Sequence, residues 1–448
     1  MKKKPNILFV FTDQQSARAM SCAGNSHLHT PHMDALAASG VRFAQAYCAA
    51  PVCGPSRASL TTGRLPHETG VLVNDMTPDP TIANMGELFR QAGYYTAWSG
   101  RWHLPDHGPQ LRGFECLHDQ EVALGRGTIG DSHVTDVAID FLQEQHEQPF
   151  FLGVSLCNPH DICGWIRNPS VPPSNDAGLP PLPPNFAIDP EESEFIGKCR
   201  RRTYYGDEGT HTWDWDELQW RTYLDAYYRF TEEVDVQIGR LLHTLRTTGL
   251  EDDTLVLFTS DHGEGMAAHR WVVKLMLYEE PTRVPFIVRW PGHIPAAVVD
   301  DHHLVSGLDV LPTLCDWAGV DYPEVTGISL RPLVENPQQA GRPFLVSELC
   351  PDTEDLEMQA RMLRTQRYKY LAFSEGQNPE MLFDLEEDPG ETRNLALNAN
   401  GQQELDRHRT LLQEWCIQTD DPFTLPAPRA HAAPTNPHPA PPAQSGSD

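Results

Sequence analysis

Four short apolar runs, each closed by polar residues, stand out along the chain: Ile7–Phe11, Tyr94–Trp98, Phe150–Leu156 and Leu255–Thr259. Runs of this length with turn residues at their ends predict buried strands. Between them the apolar period lengthens. Val134, Val137, Ala138, Phe141 and Leu142 fall at helical spacing and predict a helix over Asp131–Gln145. A longer helix is predicted over Asp216–Leu245, where Leu224, Tyr227, Thr231, Val234, Ile238, Leu241 and Leu245 share one face and Gly249 follows as a stop. Pro31–Ser39 reads as a short helix with Thr30 as its cap. Strands alternating with helices predict an α/β fold, a large mainly parallel sheet sandwiched by helices. In such sheets chemistry collects at the carboxyl ends of the strands.

The later chain changes character. Pro169–Pro190, rich in Pro, Ser, Asn and Asp, reads as a long loop over the sheet edge. After Pro332 come short strand-like pieces, Phe344–Ser347, Tyr368–Ala372 and Met381–Asp384, then a helix near Gln402–Trp415. The expected organisation is a catalytic α/β domain over 1–331, a smaller C-terminal α+β domain over 332–425, and a disordered Pro/Ala-rich tail over 426–448.

Charge narrows the function classes. The formal net charge is -28, from 34 Lys+Arg against 62 Asp+Glu. That argues against nucleic acid or an anionic membrane as partner, since both call for a basic surface. No apolar run approaches the roughly 20 residues that span a bilayer. Met1-Lys2-Lys3-Lys4-Pro5 is basic, but Asn6–Phe11 runs into polar residues with no cleavage site, so the chain as written reads as cytoplasmic unless an export signal has been cut away. Ten cysteines without paired spacing read mostly as buried free thiols, Cys48, Cys157 and Cys163 among them.

Polar residues able to bind ions or move protons stand just after each predicted strand. Asp13 and Gln14 follow the first, Arg101 and His103 the second, His160 the third, Asp261 and His262 the fourth. One such placement is ordinary, because Asp and Asn often end strands. Four together predict one site at one rim.

Cys53-Gly54-Pro55-Ser56-Arg57, continuing to Thr62-Gly63-Arg64, decides which site. The segment resembles the signature of the type I (formylglycine-dependent) sulfatases of the alkaline phosphatase superfamily, a Cys-x-Pro-Ser-Arg element with a Thr-Gly-Arg ending. Gly100-Arg101-Trp102-His103-Leu104 resembles the family's Gly-Lys-Trp-His-Leu element, and Thr259–Glu264 its second metal motif. Lys274, Tyr278-Glu279-Glu280, Arg283-Val284-Pro285 and Leu382–Leu385 are similar to its later elements. The resemblance implies an alkaline-phosphatase-like fold and a Cys53 oxidised to formylglycine by a separate maturation enzyme. It implies Asp13, Gln14, residue 53, Asp261 and His262 around a divalent cation. The oxygen donors suit Ca²⁺ or Mg²⁺, and the imidazole of His262 would also admit Mn²⁺.

By the same resemblance the hydrated aldehyde attacks sulfur and later releases sulfate as the aldehyde re-forms. Arg57 anchors the diol, His103 is the base and His160 the acid, shared with Lys274. Arg101 and Lys274 clamp the sulfate oxygens, with His160 also at the substrate. Arg101 stands where the family usually has Lys; it keeps the charge but cannot donate a proton. His269 reads equally as a substrate contact or a loop histidine. Lys198 and Arg200-Arg201-Arg202 read as a solvated loop before an anion-binding patch, and Trp213 and Trp215 as packing before sugar stacking. Three functions are compatible: a sulfatase, acting on a sulfated small molecule or glycan; a phosphonate monoester or phosphodiester hydrolase; and an inactive sulfatase-like binding protein. The filled site ranks them in that order.

Overall fold

The computed structural model describes residues 4–105, 111–118, 126–170, 178–202 and 212–427. Most of the Pro/Ala-rich tail (428–448) and part of the Pro-rich stretch (171–177) lie outside the described residues, as do the side chains of Arg201 and Arg202. Twelve strands occur among the described residues. They are β1 (Asn6–Asp13), β2 (Val41–Tyr47), β3 (Tyr95–Gly100), β4 (Glu115–His118), β5 (Phe150–Pro159), β6 (Thr254–Ser260), β7 (Phe286–Arg289), β8 (Val298–Ser306), β9 (Phe344–Leu349), β10 (Ala360–Thr365), β11 (Tyr368–Phe373) and β12 (Glu380–Asp384).

The first eight form one sheet in the order β4-β3-β5-β1-β6-β7-β2-β8. Only β7 runs against its neighbours, pairing antiparallel with β6 and β2. The four strands read from sequence are the central ones; β2, β4, β7 and β8 are added at the flanks. Three of them escape a search for apolar runs because polar residues interrupt them, as in Val298–Ser306, and β7 escapes because it is only four residues long.

The central strands are apolar on both faces because both faces are covered. Ile7, Phe9 and Phe11 of β1 join Phe151, Leu255 and Leu257 in one core. Leu8 and Val10 join Leu152, Val154, Val256 and Phe258 in the other. The second face is covered by α1 (Pro31–Ala38), α4 (Gly127–Gln143) and α5 (Glu217–Thr247). The first is covered in part by α2 (Cys53–Thr62), which α3 (Pro66–Thr69) follows.

Helix ends correct the sequence reading by a few residues. α5 starts on an Asp216 cap that accepts from the Gln219 N–H, and Gly249, φ 73°, follows its end. Thr30 does not cap α1 with its side chain; its Oγ1 instead accepts from the Ser21 N–H at 2.9 Å. The basic run falls on a helix, Glu194–Arg202, where the sequence suggested a loop. There Lys198 pairs with Glu375 at 2.9 Å and Arg200 with Glu192 at 2.6 Å. Trp215 packs among Trp165, Trp220 and Tyr223.

The second sheet, β12-β11-β10-β9, is antiparallel throughout. One of its faces meets α6 (Gln402–Thr419) through Leu405, Leu412 and Trp415. The other packs on Val52, Trp271, Met276 and Tyr278. It therefore supports the two segments that carry Cys53 and Lys274. The Glu348 N–H donates to the Ala49 carbonyl at 2.8 Å, and the Leu275 N–H to the Pro51 carbonyl at 3.1 Å. Lys369, fully buried on β11, pairs with Glu391 at 2.9 Å and Glu279 at 3.3 Å. Among the described residues, no helix is long and apolar enough to cross a membrane.

Gly100 closes β3 with φ 104°, and a Cβ there would lie 2.0 Å from the Ser155 carbonyl oxygen. Gly100→Ala is expected to lower stability by about 2 kcal/mol or more, since both backbone strain and overpacking act against it. A thermal melting midpoint equal to that of the unaltered chain would refute this reading. His67 ties α3 to the second sheet: its Nδ1 meets Glu348 Oε1 at 2.6 Å and its Nε2 the Thr419 carbonyl at 2.9 Å. Burial lowers its pKa, but bonding to Glu348 outweighs burial and raises it to about 9. A raised folded value means the contribution is complete below the ordinary 6.5 and disappears as pH climbs through 9. His67→Asn should flatten that loss of melting temperature between about pH 6.5 and 9.5.

Candidate active site

Strand β1 lies between β5 and β6 in parallel register, with Thr12 opposite Ser260 and Asp13 opposite Pro159. That register brings Asp13, Gln14, His160, Asp261 and His262 to one edge of the sheet. β3, next to β5, delivers Arg101 and His103 to the same edge. Cys53 is the first residue of α2, and Arg57, four residues on, shares its face.

Arg57 is the link between these elements. Its Nε donates to Asp261 Oδ2 and its Nη2 to Asp13 Oδ2, both at 2.9 Å. Its Nη1 donates to the Arg101 carbonyl at 2.6 Å and to Ser155 Oγ at 3.2 Å. Arg101 Nη1 also donates to Asp13 Oδ2, and its Nη2 to His103 Nε2 at 2.9 Å. Burial raises the Asp13 pKa, but the charges of Arg101, Arg57 and Lys274 outweigh it and hold the carboxyl well below its ordinary value. Asp261 is pushed up, by burial and by the charge of Asp13.

Cys53 Sγ sits 2.8 Å from Lys274 Nζ, 3.1 Å from His262 Nε2 and 3.8 Å from Asp13 Oδ1. Burial and Asp13 raise its pKa, yet Lys274 and His262 outweigh them and the thiol falls well below its ordinary value. The neighbouring thiols behave oppositely: burial pushes Cys163 up to about 12, and Cys48 and Cys157 up as well. His160 is lowered to about 3; burial is the main cause, Asp13 opposes it, and Lys274 and Arg101 reinforce it. It is a neutral imidazole. The Nδ1 atoms of His103 and His160 are buried without a hydrogen-bond partner.

Residues 5–320 match the sulfatase family model, and residues 267–415 match that of the N-sulphoglucosamine sulphohydrolase C-terminal region. The chain belongs to the sulfatase family. It is 34% identical to the Delta 4,5-hexuronate-2-O-sulfatase of Bacteroides thetaiotaomicron, over 94% of this chain and 91% of that protein. A solved 2-O GAG sulfatase superposes with TM-score 0.85 at 32% identity, covering 95% of each chain. A phosphonate monoester hydrolase of Agrobacterium radiobacter shares the fold, with TM-score 0.81 at 24% identity over 93% of this chain and 96% of that one. The sulfatase is accordingly a sulfuric ester hydrolase.

Ten of the residues singled out from sequence in this sulfatase meet in one cluster: Asp13, Gln14, Cys53, Arg57, Arg101, His103, His160, Asp261, His262 and Lys274. His269 stands elsewhere, 1% exposed, with its ring stacked on Tyr278 at 3.9 Å and its N–H bonded to the Asn185 carbonyl. Sequence reasoning passed over four supporting groups. Asn74 Oδ1 accepts from the Gly54 N–H, and Ser155 accepts from Arg57. The Tyr227 hydroxyl donates to the Gln14 carbonyl, and Glu264 takes the Gln14 amide. Only Glu264 carried a signal, as a charge two residues past His262 that is completely buried.

In the unmodified chain, the ultraviolet thiolate absorbance lost on Cys53→Ala should titrate below the ordinary thiol range. Lys274→Met should move that titration upward. An unmoved midpoint in Lys274→Met would show that the ammonium does not hold the thiol down.

Proposed function

We propose that this sulfatase removes sulfate from a saccharide, using formylglycine made from Cys53 by a maturation enzyme together with one divalent cation. The observation that carries the reading is Cys53 Sγ held among Lys274, His262 and Asp13 at the head of α2. The saccharide rests on the substrates named for its relatives, a hexuronate 2-O-sulfate and a GAG 2-O-sulfate.

The donor set fits a cation. Asp13, Cys53, Asp261 and His262 each offer a ligand atom, all within 4.8 Å of one another and all buried. His262 Nδ1 meets the Gly263 carbonyl at 2.9 Å, which keeps a proton on Nδ1, so Nε2, facing Cys53, is the nitrogen that would exchange its proton for a cation. Two carboxylates with the Gln14 amide favour Ca²⁺ or Mg²⁺, and the imidazole leaves room for Mn²⁺. When bound, the cation supplies positive charge that eases deprotonation of a neighbouring hydroxyl. Formylglycine supplies an oxygen nucleophile that can release sulfate without water attacking a covalent ester.

The remaining work falls to side chains already in place. Arg57 fixes both carboxylates so that neither turns away from residue 53. Arg101 and Lys274 bring positive charge to sulfate oxygens in a water-poor site, where such charge stabilises a transition state most. His103 takes the proton from residue 53 on Nε2, which is freed when Arg101 turns from it to the sulfate oxygens. His160 enters as a neutral donor, so the proton for the leaving oxygen comes chiefly from Lys274.

A peptide mass spectrum across Cys53 from the native host should show formylglycine in place of cysteine. Cys53→Ala should stay folded and lose at least about 10³-fold in kcat; retained turnover would exclude residue 53 as nucleophile. 2-O-sulfated disaccharides should be cleaved in preference to aryl phosphonates. The reverse preference would favour the phosphonate hydrolase reading.

A further inference from the structure

Gln14 is an unusual candidate ligand, because its amide presents oxygen or nitrogen depending on a half-turn of its last torsion. Only the oxygen can serve a cation. Its backbone is fixed: φ is 74°, the N–H donates to Asp261 Oδ1 at 3.0 Å, and the carbonyl accepts from Tyr227. The side chain needs a separate device. Cys163 lies at both ends of the amide, 3.3 Å from Nε2 and 3.5 Å from Oε1, and selects neither.

We infer that Glu264 is a positioning residue that sets the Gln14 amide with its oxygen toward Lys274 and the cation site. Glu264 Oε2 accepts from Gln14 Nε2, while Gln14 Oε1 accepts from Lys274 Nζ at 3.0 Å. Glu264 Oε1 is occupied by the Val273 N–H and the Tyr223 hydroxyl. The Val273 N–H can only donate, so the atom facing it must be an acceptor. The Tyr223 hydroxyl can donate or accept and imposes nothing. With Oε1 committed to these donors, Oε2 of the carboxylate is left to accept from the Gln14 amide nitrogen. Through Val273 the same carboxylate also holds the segment that ends in Lys274.

This logic makes an inverting substitution possible. In Glu264→Gln the new amide must keep its oxygen on the Val273 N–H, which turns its NH₂ toward Gln14. Two NH₂ groups cannot bond, so Gln14 either loses its hold at position 264 or reverses and turns nitrogen toward Lys274 and the cation site, and both outcomes weaken it as a ligand. Pairing it with Gln14→Glu restores the pattern. The carboxylate then at position 14 accepts from the NH₂ then at position 264, and offers its other oxygen to Lys274 and the cation. The double substitution exchanges the two side chains and keeps one buried carboxylate.

The inference rests on the proposed cation site, and the readout separates the two. Calcium affinity is measured by calorimetry and by calcium-dependent melting on the full chain, with no substrate present. An unaltered chain that binds no Ca²⁺, Mg²⁺ or Mn²⁺ would remove the cation reading itself. Given binding, Glu264→Gln should weaken it about ten- to a hundredfold. The double variant, Gln14→Glu with Glu264→Gln, should recover to within a few-fold of the unaltered chain. Unchanged affinity in Glu264→Gln, or a double variant no better than it, overturns the inference. If either variant fails to fold, an atomic-resolution structure of the unaltered chain with cation decides it. Nitrogen density on the Glu264 side supports the inference and oxygen density there overturns it.

Discussion

One guanidinium between two buried carboxylates organises this protein. Asp13 and Asp261 end neighbouring strands, β1 and β6, and both are completely buried. Two carboxylates placed so close cost several kcal/mol without compensation. Arg57, itself 1% exposed, compensates both with directed hydrogen bonds and reaches on to the Arg101 carbonyl. The helix that carries Arg57 also carries Cys53, so neutralising the strand ends and placing residue 53 are one event. The site is built by the same contact that makes its burial tolerable.

The rest of the fold keeps that contact in register. The two cores on either face of the large sheet fix β1, β5 and β6 side by side. The second sheet takes no direct part in the cluster. Its apolar face packs against Val52 and the Met276–Tyr278 region, and its backbone hydrogen-bonds at Ala49. Lys369, between Glu279 and Glu391, buries a further ion network on that seam. Moving the second sheet would therefore displace both Cys53 and Lys274, although neither belongs to it. A strongly acidic chain handles an anionic ester by local means: Arg57, Arg101 and Lys274 are concentrated where the carboxylates already require them.

Legibility followed the range of the forces involved. The central strands were plain because burial on both faces leaves an unbroken apolar run. β4 and β8 were not, because partial exposure allows polar residues that break the pattern. The Cys53–Arg64 segment was readable as a resemblance, and ten candidate residues do meet. His269, equally polar and close to Lys274 in sequence, turns into a stack with Tyr278 instead, since the backbone folds back there through residues of positive φ. Glu264 was visible only as a letter in a motif. Its role depends on Val273 and on Tyr223, the latter 41 positions away, and no local pattern encodes that meeting.

The sequence by itself determined the elements whose signals are local: the central buried strands, the amphipathic helices, and the identities of the charged and nucleophilic groups after each strand. It could do so because hydrophobic period and residue chemistry act over a few positions. Tertiary structure alone decided which of those groups face one another, which nitrogen of His262 faces Cys53, which end of the Gln14 amide points inward, and that His160 is neutral. Those properties come from desolvation and hydrogen-bond direction among residues up to 260 positions apart, as for Gln14 and Lys274. They exist only once the chain has closed around them.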